Sequence, residues 1–217
     1  LIFIGSTYAE GGEMSETTKY IEKIAKNIPV FLINGFLPYE NVYSVMCDDF
    51  SITYKTTKSL IEHGRERILF LYNSSSYSAR QKLSGYKKAL EDCSMPFDEN
   101  LMLRVKNEIH KVKDSLIENS QLNFDAVVST EDHLAVAVLK YAKEKKISVP
   151  KDLSVVGYNN TYLTFCCEPE LSTIDSQVEK ICKKTFENVI NLLQKEEKPE
   201  KSTLFEGEFI KRNSTTF

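Results

Sequence analysis

Short apolar runs of about five residues alternate along the chain with amphipathic stretches of about 12 to 18 residues. This alternation is typical of βα units, in which a helix carries the chain from one parallel strand to the next. Each amphipathic stretch has apolar residues near the i, i+3, i+4 and i+7 positions that line one helix face. The sequence therefore predicts an α/β fold on a doubly wound parallel sheet. The predicted strands are LIFIG, IPVFLI, RILFLY, LMLRV, DAVVS, LSVVG and a closing STLFEGEFIK.

The composition is that of an ordinary globular chain. Its 217 residues are 41% hydrophobic and 27% charged, which is enough for one large domain or two small ones. The formal net charge of -3 gives no basic field, so we expect no DNA binding by these residues themselves. No apolar run approaches the roughly 18 residues of a membrane span. Five cysteines without a CxxC pair favour reduced thiols in a cytoplasmic protein.

Polar, mostly uncharged residues follow the predicted strands at the point where each one ends. In open doubly wound sheets the ligand crevice lies at these carboxyl ends. Amides and hydroxyls match the donor and acceptor demands of ligand hydroxyls, whereas phosphates favour a glycine-rich loop or arginines. The set predicts a sugar-like ligand, although any one member could instead begin a turn or cap a helix. The strand-end residues are Ser6, Asn34, Asn73, Thr130, Glu131, Asn159 and Asn160.

The sequence lacks the motifs of the common enzyme classes on α/β folds. It contains no GxGxxG, no GxxxxGK[ST] and no GxSxG, which are the signals of dinucleotide, nucleoside triphosphate and hydrolase sites. The three histidines have no ligand spacing to cysteine or to one another. The acidic pairs at 48–49 and 131–132 precede predicted helices, where carboxylates suit the helix dipole. We therefore expect no enzyme, no cofactor and no metal site.

Five segments resemble the LacI/GalR family of bacterial transcription regulators. The segment VPKDLSVVGYNN, residues 149–160, is similar to the family pattern V-P-x-D-[ILV]-S-V-[IV]-G-[FY]-D. The other four follow family patterns in the same order along the chain. Together they cover nearly all of it and indicate the family's effector-binding domain, which is similar to periplasmic sugar-binding proteins. These four are YKTTKSLIEHGRERILFL, SARQKLSGYKKAL, STEDHLAVAVLKYAKEKKISVP and EPELSTID.

The resemblance implies two doubly wound parallel-sheet subdomains joined by three crossovers, the type I periplasmic binding protein arrangement. It assigns 1–46 and 176–201 to an N-terminal subdomain that is incomplete here. The C-terminal subdomain then comprises 47–175 and 202–217. The family's DNA-binding helix-turn-helix headpiece is expected upstream, outside these residues.

The implied function is that of a repressor-type regulator that senses an effector. A small sugar-like molecule in the cleft between the subdomains would control operator binding by allostery, without chemistry on the ligand. A solute-binding component of a sugar transporter is the alternative, and an upstream signal peptide in place of a headpiece would indicate it. The family also implies a homodimer, for which the apolar face of Leu134, Ala135, Val138 and Leu139 is a candidate surface.

The resemblance assigns roles to individual residues. Lys82 stands where an arginine usually clamps the ligand, and a lysine keeps the charge without the bidentate fork. Asn34 and Asn159 stand where aspartates are common, and Tyr158 and Tyr162 flank the asparagine pair as candidates for stacking on a sugar. Asp132 is expected to cap the following helix. The predicted effector-binding set is Ser6, Asn34, Asn73, Lys82, Glu131, Tyr158, Asn159 and Tyr162.

Overall fold

The computed structural model describes residues 1–5, 16–195 and 198–217. Ser6, the first of the predicted site residues, lies outside the described residues. The chain forms two compact units, each built on its own sheet. The first unit comprises Leu1–Asp49, Ser74–Gln81 and Gln177–Glu206, and the second comprises Phe50–Asn73, Lys82–Ser176 and Gly207–Phe217.

The first unit contains a four-stranded parallel sheet. Its strands are β1 (Ile2–Ile4), β2 (Val30–Ile33), β3 (Val42–Cys47) and β9 (Ser202–Phe205), in the order β1-β2-β3-β9. Helix α1 (Lys19–Ala25) packs on one sheet face, and helix α6 (Val178–Gln194) contacts β2 and β3. Because side chains alternate between the two faces of a strand, the apolar runs of β2 and β3 can be buried on both sides.

The second unit contains a six-stranded sheet in which only β10 runs antiparallel to its neighbour. The strand order is β10-β8-β7-β6-β4-β5. The winding reverses at β4, whose neighbours are β5 and β6, and such a switch point opens a crevice at the carboxyl ends of the strands. The strands are β4 (Ile68–Tyr72), β5 (Met102–Arg104), β6 (Ala126–Ser129), β7 (Ser154–Tyr158), β8 (Ser172–Asp175) and β10 (Glu208–Ile210).

Four helices accompany this sheet. They are α2 (Asp49–Glu62), α3 (Tyr77–Asp92), α4 (Ile109–Glu118) and α5 (Asp132–Lys145). Helix α5 contacts β6, β7 and α4, and its side chains contribute to the core of the second unit. In the described part of the chain, no helix is long and apolar enough to span a membrane.

The prediction of a dimer surface on α5 is wrong. Leu134, Ala135, Val138 and Leu139 are between 0% and 5% exposed and belong to the hydrophobic core. The helix is apolar on most sides because it is covered by the sheet and by α4. These four side chains are therefore unable to form a surface for a second copy.

The closing segment STLFEGEFIK forms two strands in different sheets where a single strand was expected. Strand β9 adds to β3, and β10 adds to β8 after Gly207. Residues 202–206 therefore lie in the first unit, whereas the sequence-based boundary assigns all of 202–217 to the second. The structure also contains β3 and β8, neither of which was predicted as a strand.

Candidate functional site

Two of the predicted site residues meet at the switch point of the second unit. Asn73 follows β4 and Glu131 follows β6, and the Asn73 amide donates to Oε1 of Glu131 at 3.1 Å. The second carboxylate oxygen, Oε2, lies 3.2 Å from Nδ1 of His133. Glu131 is the N-terminal flanking residue of α5, but its side chain makes no capping hydrogen bond. The side chains of Asn73, Glu131 and His133 thus form a half-buried row of polar groups at the point where the winding of the sheet reverses.

Lys82 is a buried cation beside this row of polar groups. Its side chain is 7% exposed, and Nζ donates to the backbone carbonyl of Thr130 at 3.2 Å. Nζ also lies 3.5 Å from the ring centroid of Tyr158, which is a close cation–π contact. Among the described residues, no carboxylate forms an ion pair with this ammonium. A buried charge held only by a carbonyl and a ring face would gain from an anionic or acceptor-bearing ligand.

The two tyrosines expected to stack on a sugar occupy different environments. Tyr158 is 1% exposed, and Lys82 covers one face of its ring. This tyrosine therefore positions the lysine and does not present that face to a ligand. Tyr162 is 75% exposed, in the short 3-10 helix Tyr162–Thr164, and its ring remains accessible.

The adjacent asparagines at the end of β7 differ in what they bind. Both have positive φ, 95° at Asn159 and 49° at Asn160, a conformation that asparagine tolerates better than most residues. Asn160 is engaged on both sides of its amide, since it donates to Asp175 at 2.9 Å and accepts from Arg212 at 2.8 Å. Asn160 therefore has a structural role in the turn.

Asn159 is exposed and keeps part of its hydrogen-bonding capacity. Its Oδ1 accepts from the hydroxyl of Ser176 at 3.3 Å, and its backbone N–H donates to Ile174 at 2.8 Å. Among the described residues, only the amide oxygen of Asn159 has a side-chain partner, so its two N–H donors remain available to a ligand. An aspartate here would present acceptors, so the asparagine reverses the hydrogen-bonding preference of the position.

Asn34, in the first unit, repeats this local arrangement. It follows β2 with φ 55°, and its Oδ1 accepts from the backbone N–H of Cys47 at 3.3 Å. Its own backbone N–H donates to Val45 at 3.0 Å. Among the described residues, nothing accepts from the side-chain N–H groups of Asn34.

Asp132 does not have the predicted capping role. It is the first residue of α5, and its carboxylate accepts from three groups on neighbouring segments. Oδ2 accepts from the backbone N–H and the hydroxyl of Thr161 at 2.7 and 2.8 Å, and Oδ1 accepts from the hydroxyl of Thr173 at 2.6 Å. Burial raises the pKa of this carboxyl above its ordinary value, against the opposing effect of these hydrogen bonds. Asp132 therefore ties α5 to β8 and to the segment after β7.

Sequence reasoning did not predict a role for Arg212. Its guanidinium donates to Asn160 at 2.8 Å and to the backbone carbonyl of Leu171 at 3.0 Å, and it lies 4.2 Å from the ring centroid of Phe165. No local pattern marks this residue, because its partners lie 41 to 52 positions away along the chain. The arginine fixes the turn that carries the two asparagines.

The chemistry available to a ligand is rich in donors. In the second unit, Asn159 uses its acceptor oxygen within the protein, and Lys82 adds a buried positive charge. The carboxylate of Glu131 is already engaged by Asn73 and lies beside His133. Within the described ranges, no group of three or more His, Cys, Asp or Glu side chains could hold a metal ion.

Comparison with known proteins gives a family match and a similar relative. Residues 57–215 match a family described as the periplasmic binding protein-like domain. An HTH-type transcriptional regulator of Lachnoclostridium phytofermentans is 40% identical over 219 residues, which cover 100% of this chain and 65% of that protein. The chain thus spans just under two thirds of the length of this relative.

Two solved structures share the fold. Transcription regulator CcpA of Lactococcus lactis has a TM-score of 0.83 at 23% identity, covering 99% of this chain and 77% of its own. A LacI family transcriptional regulator from Enterococcus faecium, solved with bound ribose, has a TM-score of 0.80 at 21% identity, covering 99% and 79%. At these identities the two structures show a common fold only.

Proposed function

We propose a function from one premise: the chain belongs to the periplasmic binding protein-like domain family, in the LacI/GalR group of transcription regulators. In this proposal it is the effector-sensing and dimerisation part of a longer cytoplasmic regulator. A helix-turn-helix headpiece elsewhere in that protein binds operator DNA. The transporter alternative is not favoured, because the relative that is 40% identical over the full length of the chain is an HTH-type regulator.

The observation that carries the proposal is the polar group at the switch point of the second unit. Asn73, Glu131 and Lys82 lie there on strand ends and a helix, the place where doubly wound sheets bind ligands. Lys82 has no carboxylate partner among the described residues, although burying an uncompensated charge is unfavourable. A ligand that supplies an acceptor to Lys82 would offset that cost.

The ligand class follows from the free donors. A neutral sugar offers hydroxyls that both donate and accept, whereas a sugar acid or sugar phosphate offers acceptors and negative charge. The N–H groups of Asn159, with the ammonium of Lys82 in the same unit, favour the second kind of ligand. We therefore propose an anionic or acceptor-rich sugar derivative as the effector.

Signalling requires only a difference in effector affinity between two conformational states of the regulator. The effector shifts the equilibrium towards the state that it binds more tightly, and operator affinity changes by the same coupling free energy. No bond in the effector has to form or break. This mechanism agrees with two relatives that are HTH-type transcriptional regulators.

Homodimerisation is part of the proposal because palindromic operators are bound by two-fold symmetric proteins. Its surface lies elsewhere than on Leu134, Ala135, Val138 and Leu139, which are core residues. Light scattering of the full-length protein at micromolar concentration should report a dimer. A monomer at that concentration would contradict this part of the proposal.

Calorimetric titration of the full-length protein tests the effector site. The panel pairs neutral sugars with the corresponding sugar acids and sugar phosphates, and the tightest ligand is then titrated into Lys82→Ala and Asn159→Ala. We expect the acidic members to bind more tightly, and each variant to lose roughly 5- to 150-fold in affinity, equivalent to about 1–3 kcal/mol. Lys140→Ala, an exposed lysine on α5, is the matched control and should leave the affinity unchanged. Unchanged affinity in both site variants would rule out the proposed site.

A further inference from the structure

A separate cavity of about 350 Å³ lies within the first unit, at the side of α6. Its volume is at the lower end of the range for ligand pockets, roughly 300–1,000 Å³. None of the residues predicted to bind the effector lines it. Its lining comprises Lys184, Asn188 and Asn191 on α6, Lys198, Pro199 and Glu200 in the following connection, and Thr203 on β9.

Asn188 is a buried amide in a row of α6 that faces inwards. The neighbouring members of this row are Ile181 and Thr185, and Asn188 is 4% exposed. The hydroxyl of Thr185 is satisfied by the backbone carbonyl of Ile181 at 2.8 Å. In contrast, Nδ2 of Asn188 has no hydrogen-bond partner among the described residues. A buried donor without an acceptor is unfavourable, so a bound molecule that accepts a hydrogen bond from this amide would be stabilised.

Thr203 supplies a second unpartnered polar atom in the lining. It lies directly opposite Val45 in the parallel ladder of β3 and β9, so both side chains point to the same face of the sheet. Within the part of the chain that the structure describes, Oγ1 of Thr203 is buried without a partner. A helix residue and a strand residue thus bring two unsatisfied groups to one cavity.

The charged residues around the cavity favour an anion. Among the described lining residues, Lys184 and Lys198 outnumber the single carboxylate, Glu200. Neither lysine forms an ion pair with any described residue. Amide N–H, hydroxyl and ammonium groups together match an oxyanion, which has several acceptor oxygens and negative charge.

We propose that this cavity is a second ligand site, which binds a small molecule through a phosphate or carboxylate group. Asn188 and Thr203 donate to its oxygens, and Lys184 and Lys198 neutralise its charge. The bound anion would connect α6 to β9 and stabilise the first unit. The proposal does not depend on the effector site, because the two sets of residues have no member in common.

Calorimetric titration of the full-length protein with inorganic phosphate, and separately with acetate, tests the site. We expect saturable binding of at least one anion, and which one binds distinguishes a phosphate site from a carboxylate site. Asn188→Leu and Lys198→Ala should each weaken that binding by about tenfold, because one removes a buried donor and the other a charge. Lys183→Ala is the matched control, since it removes an exposed charge from the same helix outside the lining.

Two results would overturn the proposal. No saturable binding of either anion by the wild-type protein would mean that ordered water alone satisfies Asn188 and Thr203. Equal affinity in the wild type, Asn188→Leu and Lys198→Ala would place the anion elsewhere in the protein. Lys198 is exposed, so Lys198→Ala keeps the test decisive even if Asn188→Leu disturbs the packing of α6.

Discussion

Gly157 in β7 lies against the carboxylate of Asp132, and replacing it with alanine is the sharpest test of that buried contact. A methyl group at Gly157 would lie 2.3 Å from Oδ1 of Asp132 and 2.8 Å from Cδ2 of Leu171. The leucine methyl is the end of a flexible side chain and can move away. The carboxylate is held by hydrogen bonds from Thr161 and Thr173, so its displacement breaks specific contacts.

The expected cost of Gly157→Ala has two parts. Displacing Oδ1 lengthens the 2.6 Å hydrogen bond from Thr173, and a hydrogen bond to a charged group contributes about 1.5–3 kcal/mol. Overpacking a buried site adds about 1–3 kcal/mol. Together the two parts give an expected loss of roughly 2.5–6 kcal/mol, which lowers the apparent Tm by roughly 5–24 °C for a domain of this size.

The double variant with Asp132→Ala tests the cause of this loss. When the carboxylate is absent, the alanine methyl no longer meets Oδ1, so Gly157→Ala should cost much less in that background. Gly85→Ala is the matched control, because its methyl would lie 2.3 Å from the backbone carbonyl of Phe50, in another part of the second unit. Its cost should be the same with or without Asp132.

Differential scanning fluorimetry of the full-length protein provides the apparent Tm of each variant. Full additivity of Gly157→Ala and Asp132→Ala would refute the contact between these two residues. It would also leave the glycine of the SVVGY strand without a physical explanation.

Three further predictions concern the same unit. Burial raises the pKa of Asp132 above its ordinary value of 3.8, so ionisation of this carboxyl opposes folding. The wild type should therefore lose stability relative to Asp132→Asn as the pH rises from 3.8 through the raised pKa, and the difference between their Tm values should shrink. A difference that is independent of pH would contradict this. Arg212→Ala should lower stability by roughly 2 kcal/mol through lost bonds to Asn160 and Leu171, whereas Lys211→Ala, at an exposed position, should be neutral in the same melting assay. Tyr86→Phe should cost about 1 kcal/mol, since its buried hydroxyl donates to a backbone carbonyl at 2.8 Å, and an unchanged Tm would argue against that bond.

Much of the fold follows from the sequence because parallel strands buried on both faces are continuous apolar runs. The runs RILFLY and DAVVS became β4 and β6 for this reason. Strand β8 escaped prediction because two of its four residues are hydroxyl side chains. One of them, Ser172, is buried, and its hydroxyl forms a hydrogen bond with that of Thr215 at 2.8 Å. Only the folded structure provides that partner, 43 residues away.

The sequence accounts for part of the candidate site's geometry, but not for the role of every residue in it. Asn73 and Glu131 meet because the carboxyl ends of neighbouring parallel strands lie at one edge of the sheet. The role of Asp132 was not predictable, since its partners Thr161 and Thr173 lie 29 and 41 residues away. An aspartate before a helix has the same local pattern whether it caps that helix or binds a distant strand.

The central claim is that this domain senses an effector and controls operator binding. The most direct test is fluorescence anisotropy of the full-length regulator on DNA from upstream of its own gene, with and without the tightest ligand from the sugar panel. We predict that the ligand changes DNA affinity by about 5- to 150-fold in the wild type. At the same ligand concentration, a smaller change is expected in Asn159→Ala, because that variant binds the ligand less tightly. An effector that saturates the protein and leaves DNA affinity unchanged would contradict the account.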